Sequence, residues 1–173
     1  QRAQLMLGQS PFAVILGCSD SRVPVEIIFD QGLGELFVIR VAGNVIGPAL
    51  IGSVEYAAAH LGSRLVAVMG HSQCGAVTAA VEELQKPTSD LTPSIKSIVD
   101  RIRPSVEEVM DGELKTRDAL VNESIRANVR ASAEKLRQGS PLLQEMIDQD
   151  GLRIIGANYS LSNGIVEFFD GVP

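Results

Sequence analysis

Three short apolar runs, each followed by a turn or a helical pattern, constrain the fold of this chain more than any other feature. The runs FAVILGC (12–18), LFVIRVA (36–42) and RLVAVMG (64–70) have the length and the aliphatic content of buried strands. A helical pattern that ends on glycine (51–62) separates the last two, and CGAVTAAVEELQ (74–85) follows the third. Strands that alternate with helices predict parallel pairing, helices on both faces of the sheet, and ligand sites at the carboxyl ends of the strands.

The middle of the chain has a different character. From residue 93 to about 149 the pattern is helical, and the expected breaks are Pro104, Gly112 and the GSP tripeptide at 139–141. Ser140 is a predicted N-cap, because a proline follows it at the first helical position.

The last segment returns to strand, turn and strand. Residues 151–169 carry the pattern, and SNG at 162–164 is the hairpin signal. The apolar end of this hairpin, at Phe168 and Phe169, predicts pairing across subunits, because it would otherwise leave an exposed edge strand. Residues 1–173 are therefore interpreted as one α/β domain: a sheet with a parallel core flanked by helices, extended by a C-terminal hairpin.

Composition excludes several classes of protein. The 173 residues are 45% hydrophobic and 21% charged, and no apolar run approaches the ~20 residues of a membrane span. A net charge of −6 argues against nucleic-acid binding through a basic face. Two cysteines are too few for a disulfide framework, and reduced thiols predict a cytoplasmic location. The chain begins at Gln1 rather than at methionine, which is compatible with a targeting segment upstream of it.

Residues that carry chemistry gather where the first and third strands end. Cys18 closes the first run, and HSQCG puts His71 and Cys74 just past the third. The carboxyl ends of neighbouring parallel strands lie side by side, so the three side chains can meet, and two thiolates with one imidazole suit Zn²⁺. A helix that begins near Cys74 favours its thiolate form. A disulfide between Cys18 and Cys74 is the main alternative, but it gives no reason for His71, Asp20 and Arg22.

Cys18, Asp20 and Arg22 stand at alternate positions, which an extended backbone places on one side. Arg22 is expected to hold the Asp20 carboxylate in a bidentate pair. Held in this way, Asp20 accepts the proton of a zinc-bound hydroxide; released, it is expected to occupy the open zinc position and close the site. Three protein ligands predict a catalytic zinc, and because two thiolates make its water less acidic, we expect activity to rise at alkaline pH.

These segments resemble the β-class carbonic anhydrases. CSDSRVP (18–24) and HSQCG (71–75) are similar to the two signature segments of that family, and FDQGLGELFVIRVAGN (29–44) is similar to the strand between them. The resemblance implies reversible hydration of CO2 to bicarbonate, a Rossmann-like parallel core and a homodimer as the minimal unit. It carries over a set of site residues: Cys18, His71 and Cys74 as zinc ligands, with Asp20 and Arg22 as a gating pair whose carboxylate also binds zinc in the closed form.

The plant-like, open-site branch of the family implies a CO2 pocket built partly by the neighbouring subunit. The matching positions are Gln9, Phe37 and Tyr56, and the Gly75 backbone N–H faces that pocket. An apolar ring suits CO2, and the Gln9 amide can hydrogen-bond an oxygen on which charge develops. The other histidine, His60, is expected to interact with a helix C-terminus rather than to shuttle protons.

Another branch of the family closes when bicarbonate binds at a tryptophan–arginine–tyrosine site. Arg40 and Tyr159 match two of these positions, but Ile15 stands where the tryptophan would be, and the chain has no tryptophan. We therefore expect the open form.

Three other functions stay open from the sequence. Carbonyl sulfide and carbon disulfide hydrolases resemble the same family and keep its metal site, while the matching pocket residues favour CO2. A zinc-stabilised structural subunit would be catalytically idle and would have no need of Asp20 and Arg22. Chelation that unfolds the chain, with no turnover there to lose, would support it. A thiol–disulfide switch predicts that one cysteine reacts with a thiol reagent in the metal-loaded protein.

Overall fold

The computed structural model describes residues 2–87, 90–110, 112 and 116–172. In chain order the elements are β1 (Ala13–Gly17), α1 (Val25–Ile28), β2 (Leu36–Arg40), α2 (Pro48–His60), β3 (Leu65–His71), α3 (Gly75–Gln85), α4 (Pro93–Met110), α5 (Arg117–Gln138), α6 (Pro141–Gln149), β4 (Arg153–Tyr159) and β5 (Val166–Asp170). Short 3-10 turns lie at Gln4–Leu7 and Ala42–Asn44. The three predicted strands and the two helices of the first half are confirmed.

The strands form one sheet in the order β2-β1-β3-β4-β5, and all neighbours are parallel except β4 and β5. The chain leaves β1 toward β2 on one side and leaves β3 toward β4 on the other. The carboxyl ends of β1 and β3 therefore flank the point where the strand order reverses, and open α/β sheets bind ligands in the crevice at that point.

Alternate residues of β1 face opposite sides of the sheet. Val14 and Leu16 pack in a core with α2, α5 and α6, whereas Ile15 packs with Val25 of the short α1. Helices thus lie on both faces, as predicted, but the longer ones cover one face. The two faces together anchor β1 rigidly, and with it the start of the loop that follows.

Pro104 does not break a helix, so that prediction is wrong. Helix α4 runs through it from Pro93 to Met110. Val99, Ile102 and Val106 of α4 are almost completely buried, between 0 and 2% exposed. The packing of this apolar face outweighs the ~3 kcal/mol that a proline costs inside a helix.

The other predicted breaks are confirmed. Gly112 lies between α4 and α5, and α6 begins directly after Ser140. The Ser140 hydroxyl accepts a hydrogen bond from the Leu143 backbone N–H at 3.1 Å and donates one to Glu55 on α2 at 2.5 Å. The cap thus also ties α6 to α2.

The predicted C-terminal hairpin is present as the antiparallel pair of β4 and β5. Its turn contains Gly164 in the left-handed region, with φ +74°. Phe168 is half-exposed at its outer strand, while Phe169 lies under the guanidinium group of Arg126, 4.0 Å from the ring centroid. Among the described residues no helix combines the length and the apolarity needed to cross a membrane.

Candidate metal centre

Cys18, His71 and Cys74 come together at the point where the strand order reverses. Cys18 follows β1, His71 is the last residue of β3, and Cys74 is the N-cap of α3. Their ligand atoms all lie within 4.8 Å of one another, and all three side chains are buried. The structure therefore brings together the three side chains that the sequence predicts as ligands. Both cysteines are free thiols, so the predicted alternative of a disulfide is absent from this structure.

The hydrogen bonds of His71 fix which ring nitrogen faces the cysteines. Its Nδ1 lies 2.9 Å from the backbone oxygen of Ser72. A carbonyl oxygen can only accept, so Nδ1 carries the proton and Nε2 keeps its lone pair. Nε2 is buried without a hydrogen-bond partner among the described residues. A buried nitrogen of this kind is costly unless a ligand such as a metal ion takes its lone pair.

The two thiols are coupled. A hydrogen bond from the Cys74 thiol to the Cys18 sulfur lowers the pKa of Cys18, and the same bond together with burial raises the pKa of Cys74. The two sulfurs and the imidazole nitrogen lie within 4.8 Å of one another. A divalent cation bound between them would displace the thiol protons and bind both thiolates.

The donor set fits zinc. Zinc binds two thiolates and one imidazole readily, with bonds of about 2.3 Å to sulfur and about 2.0 Å to nitrogen. At the tetrahedral angle two such bonds span about 3.5–3.8 Å, and the three ligand atoms lie within 4.8 Å of one another, so a small movement of the side chains would complete the site. The buried His71 Nε2, which has no hydrogen-bond partner among the described residues, agrees with the same assignment.

Asp20 and Arg22 form the predicted bidentate pair. Arg22 Nε donates to Asp20 Oδ1 at 2.9 Å, and Nη2 donates to Oδ2 at 2.7 Å. These hydrogen bonds hold the pKa of Asp20 well below its usual range. Oδ2 lies 3.8 Å from His71 Nε2. The carboxylate therefore stands beside the cluster, is ionised, and has its orientation set by Arg22.

The local geometry behind this pair differs from the prediction. The backbone after Gly17 is not extended: it turns, and the Val23 N–H donates to the Asp20 carbonyl at 3.0 Å. Asp20 Oδ1 also accepts from the Arg22 backbone N–H at 3.0 Å. An Asx turn, rather than the alternation of an extended strand, brings the two side chains together.

The residues that hold these groups in place were not predicted in that role from the sequence, although Arg40 was named there as a match to a bicarbonate site. The Gly43 N–H donates to Cys18 Sγ at 3.3 Å, and the Gly43 carbonyl accepts from Asn128 Nδ2 on α5 at 2.8 Å. Arg40 donates to the Cys18 carbonyl at 3.0 Å and to the Asp20 carbonyl at 2.6 Å. Of these residues only Gly43 has a recognisable signal in the sequence: the glycine of the VAGN stretch indicates a sharp turn of the backbone after β2.

Phe37 and Tyr56, two of the predicted pocket residues, lie together but apart from the cluster of their own chain. Their ring centroids are 6.3 Å apart, and Tyr56 contacts the ring of His60 at 5.2 Å. Phe37 pairs with Val14 near the start of β1, several residues of strand, or about 10 Å, from the carboxyl edge of the sheet.

The other two predicted pocket residues lie at opposite edges of the sheet. Gln9 precedes β1 and is exposed, so it lies at the amino end of the strand. Gly75 follows Cys74 as the first residue of α3, and no described atom lies within 4 Å of the position that a Cβ would take. Its N–H is one of the helix N-terminal groups that lack an intrahelical acceptor.

The fold and the cluster define an α/β protein with a candidate Cys-His-Cys metal centre at the carboxyl edge of its parallel strands. A model of the carbonic anhydrase family matches residues 13–166. Carbonic anhydrase 2 of Mycobacterium tuberculosis is 43% identical over 167 residues, which cover 94% of this chain and 76% of that protein. The carbonic anhydrase of Mycolicibacterium smegmatis is 39% identical over 169 residues, with coverage of 96% and 79%.

Solved structures agree. The β-carbonic anhydrase CafA of Aspergillus fumigatus superposes with a TM-score of 0.86 at 27% identity, over 99% of this chain and 81% of that chain. Tetrameric β-carbonic anhydrases of Sordaria macrospora give a TM-score of 0.85 at 25% identity, over 97% and 85%. The chain belongs to the carbonic anhydrase family, and these likenesses place it in the β class.

We expect Gly43→Ala to destabilise the protein by about 1–3 kcal/mol, because φ is +68° and a Cβ would lie 2.8 Å from Ile102 Cδ1 and 3.0 Å from Ala76 Cβ. Displacement of its N–H from Cys18 should also weaken metal binding roughly 10-fold. Urea unfolding of the metal-loaded protein and competition with a chelator measure the two effects. Gly52→Ala in α2, where the site is open, is the control and should be neutral or stabilising. Equal stability of the Gly43 variant and the wild type would contradict this account.

Proposed function

We propose that this protein is a zinc enzyme that hydrates CO2 reversibly to bicarbonate and a proton. The observation that carries the proposal is the buried Cys18, His71 and Cys74 cluster with the Arg22-held Asp20 carboxylate beside it. Carbonic anhydrases are the relatives that this chain matches over nearly its whole length. A structural zinc would not need an ionised, oriented carboxylate next to its ligands.

Cys18, His71 and Cys74 would hold the zinc ion. When bound, zinc supplies a Lewis acid that makes a water molecule far more acidic than bulk water. The Gly43 N–H on Cys18 and the Ser72 carbonyl on His71 orient two of the ligands. Cys18 and His71 thus enter the site with their orientation already set by the backbone.

Asp20 accepts and orients a hydrogen bond at the reacting centre. Arg22 keeps the Asp20 carboxylate ionised, so it can only accept a hydrogen bond, and the bidentate pair prevents rotation of the carboxylate. The Arg22 guanidinium also donates to the Gln73 carbonyl at 3.3 Å, which ties the pair to the loop between His71 and Cys74. The arrangement corresponds to an open site, in which Asp20 is engaged by Arg22.

A second copy of the chain would complete the substrate pocket. Gln9, Phe37 and Tyr56 lie away from the cluster of their own chain, and Tyr56 is 49% exposed. In a dimer these side chains would meet the partner's cluster, where Phe37 and Tyr56 offer an apolar surface to CO2 and Gln9 offers an amide. The Gly75 N–H would face this pocket as a donor for a developing negative charge.

Stopped-flow CO2 hydration on protein of known zinc content tests the proposal. We expect fast turnover that rises from neutral to alkaline pH, because two thiolate ligands make the bound water less acidic than three imidazoles would. A fully zinc-loaded protein without turnover at pH 9 would overturn the proposal. Carbonyl sulfide and carbon disulfide would then be the substrates to assay.

A further inference from the structure

A cavity of about 160 Å³, lined by both apolar and polar side chains, lies between α4, α5 and the segment after β2. The exposed side chains of Arg101 and Lys135 stand at its rim, while Ser105, Asn128 and Ser132 line it from buried positions. The space is on the order of five water molecules at ~30 Å³ each. It therefore suits a small ion rather than a large organic ligand.

The charge of the cavity is positive, although the chain as a whole carries −6. No carboxylate lines it. Neither Arg101 nor Lys135 forms an ion pair within the part of the chain that the structure describes. The adjacent acids are already engaged: Asp100 pairs with Lys96 and Arg103, whereas Glu134 pairs with Arg137. The two cations are thus available to an external anion.

The floor of the cavity supplies hydrogen-bond donors. Ser105 is 2% exposed, and its hydroxyl has no partner among the described residues. Ser132 is 5% exposed and lines the same space. A buried hydroxyl without a partner costs about 1–3 kcal/mol unless a ligand or ordered water satisfies it. Two buried serine hydroxyls can donate hydrogen bonds to the oxygens of an oxyanion, and the two cations at the rim can balance its charge.

Asn128 joins this cavity to the metal centre. Its side chain lines the cavity, is 2% exposed, and donates from Nδ2 to the Gly43 carbonyl at 2.8 Å. The N–H of the same Gly43 donates to Cys18 Sγ at 3.3 Å. One residue of backbone thus connects a side chain in the cavity with a ligand atom of the candidate metal centre.

We propose that this cavity binds a small oxyanion of the size of phosphate or bicarbonate. Arg101 and Lys135 supply the charge, and Ser105 and Ser132 donate hydrogen bonds. An ion bound there contacts Asn128 and, through Gly43, changes the hydrogen bond on Cys18. The site lies outside the catalytic machinery, so it can be occupied while the metal centre is working.

Isothermal titration of the zinc-loaded protein with inorganic phosphate tests the binding. We expect a Kd on the order of 1 mM, weakened at least about 10-fold in the double variant Arg101→Ala/Lys135→Ala and unchanged in Arg103→Ala, the matched control on α4. If bicarbonate displaces phosphate from the cavity, bicarbonate is an occupant of the site. If bicarbonate does not displace phosphate, the site is specific for phosphate-like oxyanions. Binding of the same affinity in the double variant, or no binding in the wild type at 50 mM phosphate, would overturn the site.

The link to Cys18 has a separate readout. In cobalt-substituted protein, phosphate should shift the thiolate-to-metal absorption bands of the wild type and of Arg103→Ala, but not those of the double variant. Phosphate that acts directly on the metal would shift all three spectra, and binding without any spectral change would refute the link through Asn128. Both readouts are independent of CO2 turnover, so a negative result here leaves the proposed activity untouched.

Discussion

Replacement of His71 by alanine is expected to abolish zinc binding and to lower kcat/KM for CO2 hydration at least about 1,000-fold, because the acidity of bulk water and of zinc-held water differ by many orders of magnitude. Nε2 of His71 is the imidazole nitrogen in the cluster, and it has no other described partner. Loss of this nitrogen leaves Cys18 and Cys74 as two ligands, too few for a stable zinc site. Metal analysis after gel filtration and stopped-flow assays measure the two effects.

His60→Ala is the matched control for that experiment. His60 is the only other histidine of the chain and lies at the end of α2, where its ring contacts Tyr56. The variant should keep its full zinc content. A His71 variant that retains zinc and turnover at the wild-type level would show that the cluster is not the catalytic centre. A variant that folds without zinc and has lost turnover would show that zinc is needed for catalysis and not for folding.

The sequence was sufficient to predict that Cys18, His71 and Cys74 come together, because a topological rule brings these residues to one edge of the sheet. Cys18 and His71 are 53 positions apart, yet each stands at the carboxyl end of a strand, and β1 and β3 are neighbours in the sheet. Parallel strands of apolar residues are recognisable from the sequence, and their ends meet by construction. The C-terminal hairpin was predicted correctly for a different reason, because its turn carries a local signal in SNG at 162–164.

The residues that hold the cluster in place could not be predicted in the same way. Asn128 contacts Gly43 across 85 positions, and within α5 it looks like any polar residue of an amphipathic helix. The tertiary arrangement of α5 against the turn at Ala42–Asn44 decides that contact, and no local pattern encodes it. Pro104 failed as a break for a related reason, since the buried face of α4 outweighs a local preference.

The predicted substrate pocket illustrates another limit. Gln9, Phe37 and Tyr56 were assigned by resemblance, and within one chain none of them joins the metal cluster. A pocket shared between subunits leaves each half as an exposed surface, so neither the sequence pattern nor the single chain reveals its function.

A mixed dimer, with a His71 variant in one subunit and a Tyr56 variant in the other, would restore one complete site if the pocket is shared.

The second large effect is expected at Asp20. Asp20→Asn should lower kcat/KM about 100- to 1,000-fold while zinc content stays at the wild-type level, because an amide can donate where the carboxylate only accepts. The carboxylate faces the cluster with Oδ2 3.8 Å from His71 Nε2 and is not required to hold the metal in the open arrangement. Loss of zinc together with activity would instead make Asp20 a ligand.

Arg22 variants separate orientation from charge. Arg22→Lys keeps the positive charge but cannot form the two parallel bonds of 2.9 and 2.7 Å, so we expect an intermediate loss of activity. Arg22→Ala should free the Asp20 carboxylate to turn toward the cluster, with a change in the spectrum of the cobalt-substituted protein that Asp20→Asn/Arg22→Ala lacks. Arg126→Ala breaks a comparable arginine–carboxylate pair with Glu167, which lies two strands away from His71 in the sheet and contacts no residue of the cluster in the described structure, and should leave turnover unchanged. If Arg22→Lys is as active as the wild type, charge alone suffices and the bidentate geometry has no catalytic role.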